Sequence, residues 1–138
     1  PDVPTPIKEQ LQKIGLYNEL HTLQNSYVHH YPFFFRYIHP DDTLISMTSG
    51  NTPYYSISIF TFLSLKKQEH YYQSCRYVAR ALTKLCSARL HWGKYFPLTY
   101  EEVKDWYPKL ETFKNICKNY DPEGRFRNTY TKRVLGLN

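Results

Sequence analysis

Between Tyr54 and Cys86 the apolar residues change their period, and this restricts the chain to folds that set a sheet beside helices. Over Tyr54–Leu63, Tyr55, Ile57, Ile59 and Leu63 alternate with Ser56, Ser58, Phe60 and Phe62. That two-residue repeat predicts a strand. Over Gln68–Cys86, the residues Tyr72, Cys75, Val78, Ala79, Leu82, Leu85 and Cys86 fall on one helical stripe. A helix of that length can cover one face of a sheet. Upstream, Pro32–Ile38 is dense in aromatics and reads as a strand, with Phe33, Phe35 and Tyr37 on one face and Phe34, Arg36 and Ile38 on the other. Leu44–Thr48 reads as a short strand between the turn clusters Pro40-Asp41-Asp42 and Ser49–Pro53. Three consecutive strands with short connections predict an antiparallel sheet over residues 33–63, backed by the Gln68–Cys86 helix. The 14 Tyr and 8 Phe suit a pleated surface.

The flanks read as helical. Pro1–Pro6 is expected to be extended. Ile7–Leu23 predicts a helix carrying Leu11, Ile14, Leu20 and Leu23, weakened by Gly15. Thr99-Tyr100-Glu101-Glu102 is a helix-start signature for Thr99–Trp106, in which Glu102 bonds back to the cap. Pro108 suits the start of a fresh helix lined by Leu110, Phe113, Ile116 and Cys117. Asp121-Pro122-Glu123-Gly124 predicts a turn, and the basic tail from Phe126 to Asn138 an extended segment. The fold class is therefore α+β, an antiparallel sheet covered by helices.

The chain has 138 residues, enough for one domain, and its 41% hydrophobic and 22% charged content is globular. A net charge of +6 is compatible with an anionic partner, but no Lys/Arg run exceeds two residues, so a solvated basic surface is the simpler expectation. The thiols of Cys75, Cys86 and Cys117 have no metal-type spacing. Buried free thiols in a reducing, intracellular (cytoplasmic) compartment are expected, with membrane association left open. No signal peptide and no long apolar run occur, so a spanning helix is not expected. The pair His29-His30 lacks a second ligand pair, and no metal is expected. The first residue is Pro1 rather than Met, which predicts a fragment, a processed product or a trimmed domain.

The chemistry-bearing residues concentrate in Arg89-Leu90-His91-Trp92-Gly93-Lys94, on a connection between two predicted helices. His91 and Lys94 can donate hydrogen bonds or move protons. Gly93 allows a bend or a close approach, and Trp92 is expected in the core.

Read onward, His91-Trp92-Gly93-Lys94, Leu98-Thr99-Tyr100-Glu101-Glu102, Tyr107-Pro108 and Asp121-Pro122-Glu123-Gly124-Arg125-Phe126-Arg127-Asn128 resemble the C-terminal region of the FAD-dependent sugar-1,4-lactone oxidases. That family includes gulonolactone, arabinonolactone and alditol oxidases, in the vanillyl-alcohol-oxidase superfamily. The resemblance is dense over residues 89–136 and looser over 33–88, with none recognised over 1–32. It implies that residues 1–138 are a C-terminal cap, or substrate, domain. Its partners would be an N-terminal FAD-binding domain and a small sugar lactone or polyol. It places Lys94 at the substrate and flavin site, as a catalytic and cofactor-binding residue. His91 and Asn128 are the further candidates for cofactor contact. A strand Glu-x-Arg of the family falls on Phe34-Phe35-Arg36, which makes Arg36 a catalytic and substrate-binding candidate and puts Phe34 where the family has glutamate. Phenylalanine cannot accept hydrogen bonds from sugar hydroxyls. Arg36, Phe34 and Lys94 are expected to line one cavity.

The five glycines form no phosphate-binding loop, so FAD would be held mainly by a domain absent from this chain, and the isolated chain should be inactive. Arg125–Asn128 is read either as a contact with the flavin domain or as a helix stop with Phe126 in the core. Two other functions stay open. One is a catalytically impaired homologue, motivated by Phe34. The other is a basic, aromatic-rich module stacking single-stranded bases, disfavoured because no RNA-binding consensus appears.

Overall fold

A computed structural model describes residues 4–24, 26–62 and 68–137. Its elements are α1 (Thr5–Lys13), α2 (Tyr17–Leu23), β1 (Phe34–Ile38), β2 (Tyr54–Ser58), α3 (Gln68–Cys86), α4 (Tyr100–Val103), α5 (Leu110–Tyr120) and α6 (Thr129–Leu135). The class is α+β, as expected, with β1 and β2 paired in a two-stranded antiparallel sheet. The chain forms two compact units, Pro1–Arg36 with Ser56–Ala88, and Tyr37–Tyr55 with Arg89–Asn138.

In the first unit, the single helix expected over Ile7–Leu23 is two. Gly15 takes a left-handed φ of 73° and ends α1. Leu11, Leu16 and Tyr77 form the buried core, with Leu20, Val78 and Ala81 packed on it. Helix α3 thus meets α1 and α2 through Tyr77, Val78 and Ala81, of which only Val78 belongs to the expected stripe, while Tyr72, Leu85 and Cys86 are exposed. An ion pair from Arg80 to Glu19 at 2.5 Å and a bond from Lys84 to the Ile14 carbonyl at 3.3 Å fix the helices together.

The sheet is smaller than expected. Leu44–Thr48 is not a strand, so two strands form rather than three. Ser46 and Thr48 give their hydroxyls to the Asp41 carboxylate instead, and local side-chain bonds of this kind compete with a ladder. β2 stops at Ser58, and Leu63 lies outside the described residues. Phe60 and Phe62 leave the ladder to cluster with Tyr31 at 5.9 and 5.4 Å. Nor does α3 cover the sheet: all of β1 is exposed, and in β2 Tyr55 and Ile57 are more exposed than Ser56 and Ser58. Two five-residue strands make too small a face to hold a long helix flat.

In the second unit, the helix expected over Thr99–Trp106 is α4 followed by a 3₁₀ turn, Lys104–Trp106. The Glu102 carboxylate accepts from the Thr99 backbone N–H and hydroxyl, each at 3.0 Å. The tail is not extended; residues 129–135 form α6. Asn128 caps it, accepting from the Thr131 N–H at 2.9 Å while its own N–H donates to the Thr131 hydroxyl at 3.0 Å. Gly136 closes it in a left-handed conformation. Phe96, Leu98, Val103, Tyr107, Leu110, Val134, Leu135 and Leu137 form one buried cluster.

The three thiols are free, but Cys86 is exposed rather than buried, because it ends α3 beyond the contact with α2. Among the described residues no helix is long and apolar enough to cross a membrane.

Candidate functional site

The His91–Lys94 segment is a turn, closed by the Lys94 N–H donating to the His91 carbonyl at 3.1 Å. Trp92 anchors it. The indole N–H donates to the Ile45 carbonyl at 2.8 Å, and the ring stacks on Phe96 with centroids 4.9 Å apart and planes 6° apart. With Trp92 inside, its neighbours point out, and His91 and Lys94 are exposed. His91 Nδ1 accepts from the Gly93 N–H at 3.0 Å. That bond leaves the proton on Nε2, so the ring presents a donor outward. The Lys94 ammonium makes no ion pair among the described residues. The turn therefore displays two outward-facing donors, one of them cationic.

Helix α6, which sequence periodicity missed, holds this turn in place. Tyr130 and Arg133, one helical turn apart, grip the backbone that follows His91. The Tyr130 hydroxyl donates to the Trp92 carbonyl at 2.5 Å. The Arg133 guanidinium forks to the carbonyls of Phe96, at 2.9 Å, and Leu98. The available signal was Asn128-x-x-Thr131, a cap followed by its box partner, ahead of Gly136.

Asn128 is engaged by this capping. The neighbouring turn is built on Asp121, whose carboxylate accepts from the N–H groups of Arg125 at 2.7 Å and Phe126 at 3.1 Å. Phe126 is 84% exposed, which removes the reading that tucked it into the core.

Arg36 and Phe34 belong to the first unit. Arg36 is exposed and has no ion pair among the described residues. The Phe34 ring lies 5.2 Å from Phe60, so an apolar pair sits beside the Arg36 cation on that strand face. The cavity of this unit, about 900 Å³, opens on the opposite face, which Phe33, Phe35, Ile57 and Ile59 line. Neither Arg36 nor Phe34 is in its wall. A smaller cavity of about 260 Å³ lies in the second unit between the Asp41–Asn51 loop and Lys109. Arg89, the first residue of the dense motif, is structural here: it donates to the Ser49 carbonyl at 2.7 Å and lies over the Tyr107 ring at 4.7 Å. Burial pushes the Tyr107 phenol well above its ordinary range, with the Arg89 charge opposing. His29, weighed as a metal ligand, instead stacks on Phe33 at 4.7 Å and shares a hydrogen bond between its Nδ1 and the Tyr27 hydroxyl, 2.9 Å.

The donor set at His91 and Lys94 fits the electron-rich edge of a flavin ring. The glycines stand singly at 15, 50, 93, 124 and 136, with no glycine-rich loop among them.

A family model described as D-arabinono-1,4-lactone oxidase matches residues 5–134. The likeness thus extends upstream of residue 33, into the helices where none was recognised. A long-chain alcohol oxidase from an uncultured marine euryarchaeote is 33% identical over 129 residues, spanning 93% of this chain and 27% of that protein. An L-gulono-1,4-lactone dehydrogenase of Mycobacterium tuberculosis is 28% identical over 109 residues, spanning 77% and 23%. An alditol oxidase of a Streptomyces species is 36% identical over 47 residues, spanning 34% and 11%. The chain spans about a quarter of the length of the first two of these relatives. No solved structure matches.

Proposed function

Since the chain belongs to the D-arabinono-1,4-lactone oxidase family, whose members are flavin-linked sugar oxidoreductases, we propose that it is the C-terminal, substrate-side part of an FAD-linked oxidoreductase. The enzyme acts on a CH–OH group of a sugar-1,4-lactone or polyol. Its partner is an N-terminal FAD-binding domain, and the chain alone is inactive. The observation that carries this reading is the turn held by Trp92, Tyr130 and Arg133, which fixes the backbone of His91 and Lys94 while leaving both side chains exposed. Bound FAD supplies the hydride acceptor for alcohol oxidation. Lys94 supplies positive charge and a hydrogen bond where negative charge develops, and His91 Nε2–H supplies a second donor. Arg36 orients the substrate through its hydroxyls, and Asn128 fixes the neighbouring helix start against the cofactor side.

A less polar alcohol is the second reading. Phe34, paired with Phe60, stands where the family carries a glutamate, and one relative is named a long-chain alcohol oxidase. The test is Lys94→Met in the protein that carries this chain with its flavin-binding domain. Losing an interaction made in the transition state slows flavin reduction by substrate about a hundredfold or more, while flavin affinity changes little. An unchanged reduction rate defeats the assignment. Comparing alkanols with polyols, in the wild type and in Phe34→Glu, separates the two substrate classes. Phe34→Glu is expected to raise activity on polyols.

A further inference from the structure

The first unit holds a concave site that the oxidoreductase reading does not use. Its cavity of about 900 Å³ is near the top of the range typical of small-molecule sites, roughly 300–1,000 Å³. The strand side chains Phe33, Phe35 and Ile57 form one wall, and α3 supplies another through Ser74, Cys75 and Val78. Phe35 is 65% exposed and Phe33 51%, so two phenyl rings line this hollow without being covered. Burial pushes up the Cys75 thiol and likewise the phenol of Tyr71, which donates to the Ile59 carbonyl at 3.0 Å.

Beside the hydroxyls and the Gln24 amide, its basic side chains are Lys8, His21 and His29, and among the described residues no carboxylate lines it. Two buried polar atoms in the same wall, His29 Nε2 and the Tyr77 hydroxyl, have no hydrogen-bond partner among the described residues. With Nδ1 engaged by the Tyr27 hydroxyl, His29 Nε2 is left without a partner among the described residues, an omission that buried polar groups seldom tolerate. An apolar hollow with one lysine and two histidines but no carboxylate among the described residues fits an apolar chain ending in an anionic oxygen group. A sugar lactone, with its many hydroxyls, would leave the aromatic wall without a partner.

We propose that this groove is a binding site for a long-chain alkyl carboxylate, its chain against Phe33, Phe35, Ile57 and Val78 and its head toward the Lys8 and histidine side. The site requires no flavin and does not depend on the substrate reading above.

The experiment uses the protein that carries this chain with its flavin-binding domain, and cis-parinaric acid, a fluorescent alkenyl carboxylate, below its micelle concentration. Saturable fluorescence enhancement is expected, with one probe per chain. Competition by alkanoates should strengthen about fourfold per methylene, so hexadecanoate outcompetes dodecanoate roughly two-hundredfold. Ser74→Trp, which fills the groove from α3, should abolish the enhancement. Should that variant fail to fold, Phe35→Arg, on an exposed strand position, should abolish it without disturbing the helices. Lys8→Met should weaken hexadecanoate about two- to fivefold and leave 1-hexadecanol unchanged. Displacement that ignores chain length overturns the site, as does binding unaffected by either groove variant. Equal binding of 1-hexadecanol and hexadecanoate overturns the carboxylate assignment. Displacement of the probe by D-arabinono-1,4-lactone would make this the sugar site and overturn the proposal. The Lys94→Met kinetics remain the separate measure of the oxidoreductase reading.

Discussion

The second unit buries Phe96, Leu98, Val103, Tyr107, Leu110, Val134, Leu135 and Leu137 in one cluster, whereas the first buries Leu11, Leu16 and Tyr77. The same contrast runs through the polar contacts. In the second unit the side chains of Trp92, Tyr130 and Arg133 all bond to backbone carbonyls, so that one short turn is held from several sides. In the first, the strand residues Phe34, Phe35 and Arg36 are exposed and an apolar hollow stays open beside them. A closed core suits groups that must be held to within a fraction of an ångström, as donors to a reacting centre must be. An open, aromatic-walled hollow suits a ligand that supplies the missing contacts itself. The two units therefore divide precision from accommodation.

The largest expected effect tests that division directly. Leu98 is 2% exposed, and Leu98→Ala should cost about 2–5 kcal/mol, the transfer term plus a cavity that packed neighbours cannot fill. Phe35 is 65% exposed, and Phe35→Ala should change stability by no more than about 0.5 kcal/mol. Urea unfolding of the two variants measures the difference. Equal losses would mean that the hollow is as tightly packed as the core, and the contrast would be gone.

Much of the helical framework was legible in the sequence, and the reasons are local. The bounds of α3 follow from its stripe, and the Thr99–Glu102 pairing follows from residue type at fixed spacing. Trp92 was placed in the core because a large indole seldom does otherwise. Helix α6 was hidden because its seven residues, TYTKRVL, give too short an apolar pattern to stand out, and its stability comes from its cap and from Val134 and Leu135 packing on distant residues. Leu44–Thr48 was read as a strand because the hydroxyl bonds that tie it to Asp41 join residues five and seven apart, beyond any turn template. The groove was invisible for a different reason. A concavity is a gap between elements, and no single periodicity records which faces fail to meet. Sequence resemblance named Lys94 and Arg36, but the bonds that hold the Lys94 turn became apparent only with the tertiary contacts.

Two glycines sharpen the comparison with a smaller effect. Gly15 and Gly136 both end helices in left-handed conformations, at φ 73° and 62°. An alanine at either pays the left-handed strain, about 1–2 kcal/mol. Their surroundings differ. A Cβ on Gly15 meets nothing within 4 Å, whereas a Cβ on Gly136 comes within 3.1 Å of the Tyr100 ring. That ring cannot retreat freely, because Lys114 lies over it at 4.6 Å and its hydroxyl reaches Glu111 at 3.3 Å. Overpacking adds about 1–3 kcal/mol. Gly136→Ala should therefore cost about 2–5 kcal/mol and Gly15→Ala only the strain, read as the difference in thermal midpoints. A larger loss at Gly15 would place the tight packing in the wrong unit.

The smallest effect concerns acid. Asp41 accepts from the hydroxyls of Ser46 at 2.6 Å, Thr43 at 2.6 Å and Thr48 at 2.7 Å, and from the Thr43 N–H at 3.0 Å. Those donors, Ser46 foremost, hold its carboxyl well below the ordinary value of 3.8, against a weaker opposing effect of desolvation. A pKa depressed by folding means that the folded chain binds fewer protons than the unfolded chain as the pH falls through this range. The stabilising contribution is therefore complete above the ordinary carboxylate value and declines as the pH falls below it towards the folded value. In Asp41→Asn one oxygen becomes an NH₂ group, which cannot accept from two hydroxyls. The variant should lose protection of the Thr43 amide at neutral pH, and that protection should no longer vary between about pH 5 and pH 2. In the wild type it should fall across the same range. Hydrogen exchange of that amide, followed against pH in both proteins, reads the effect. Parallel curves would show that the carboxylate does not hold the loop, leaving the bonds from Arg89 to Ser49 as its anchor.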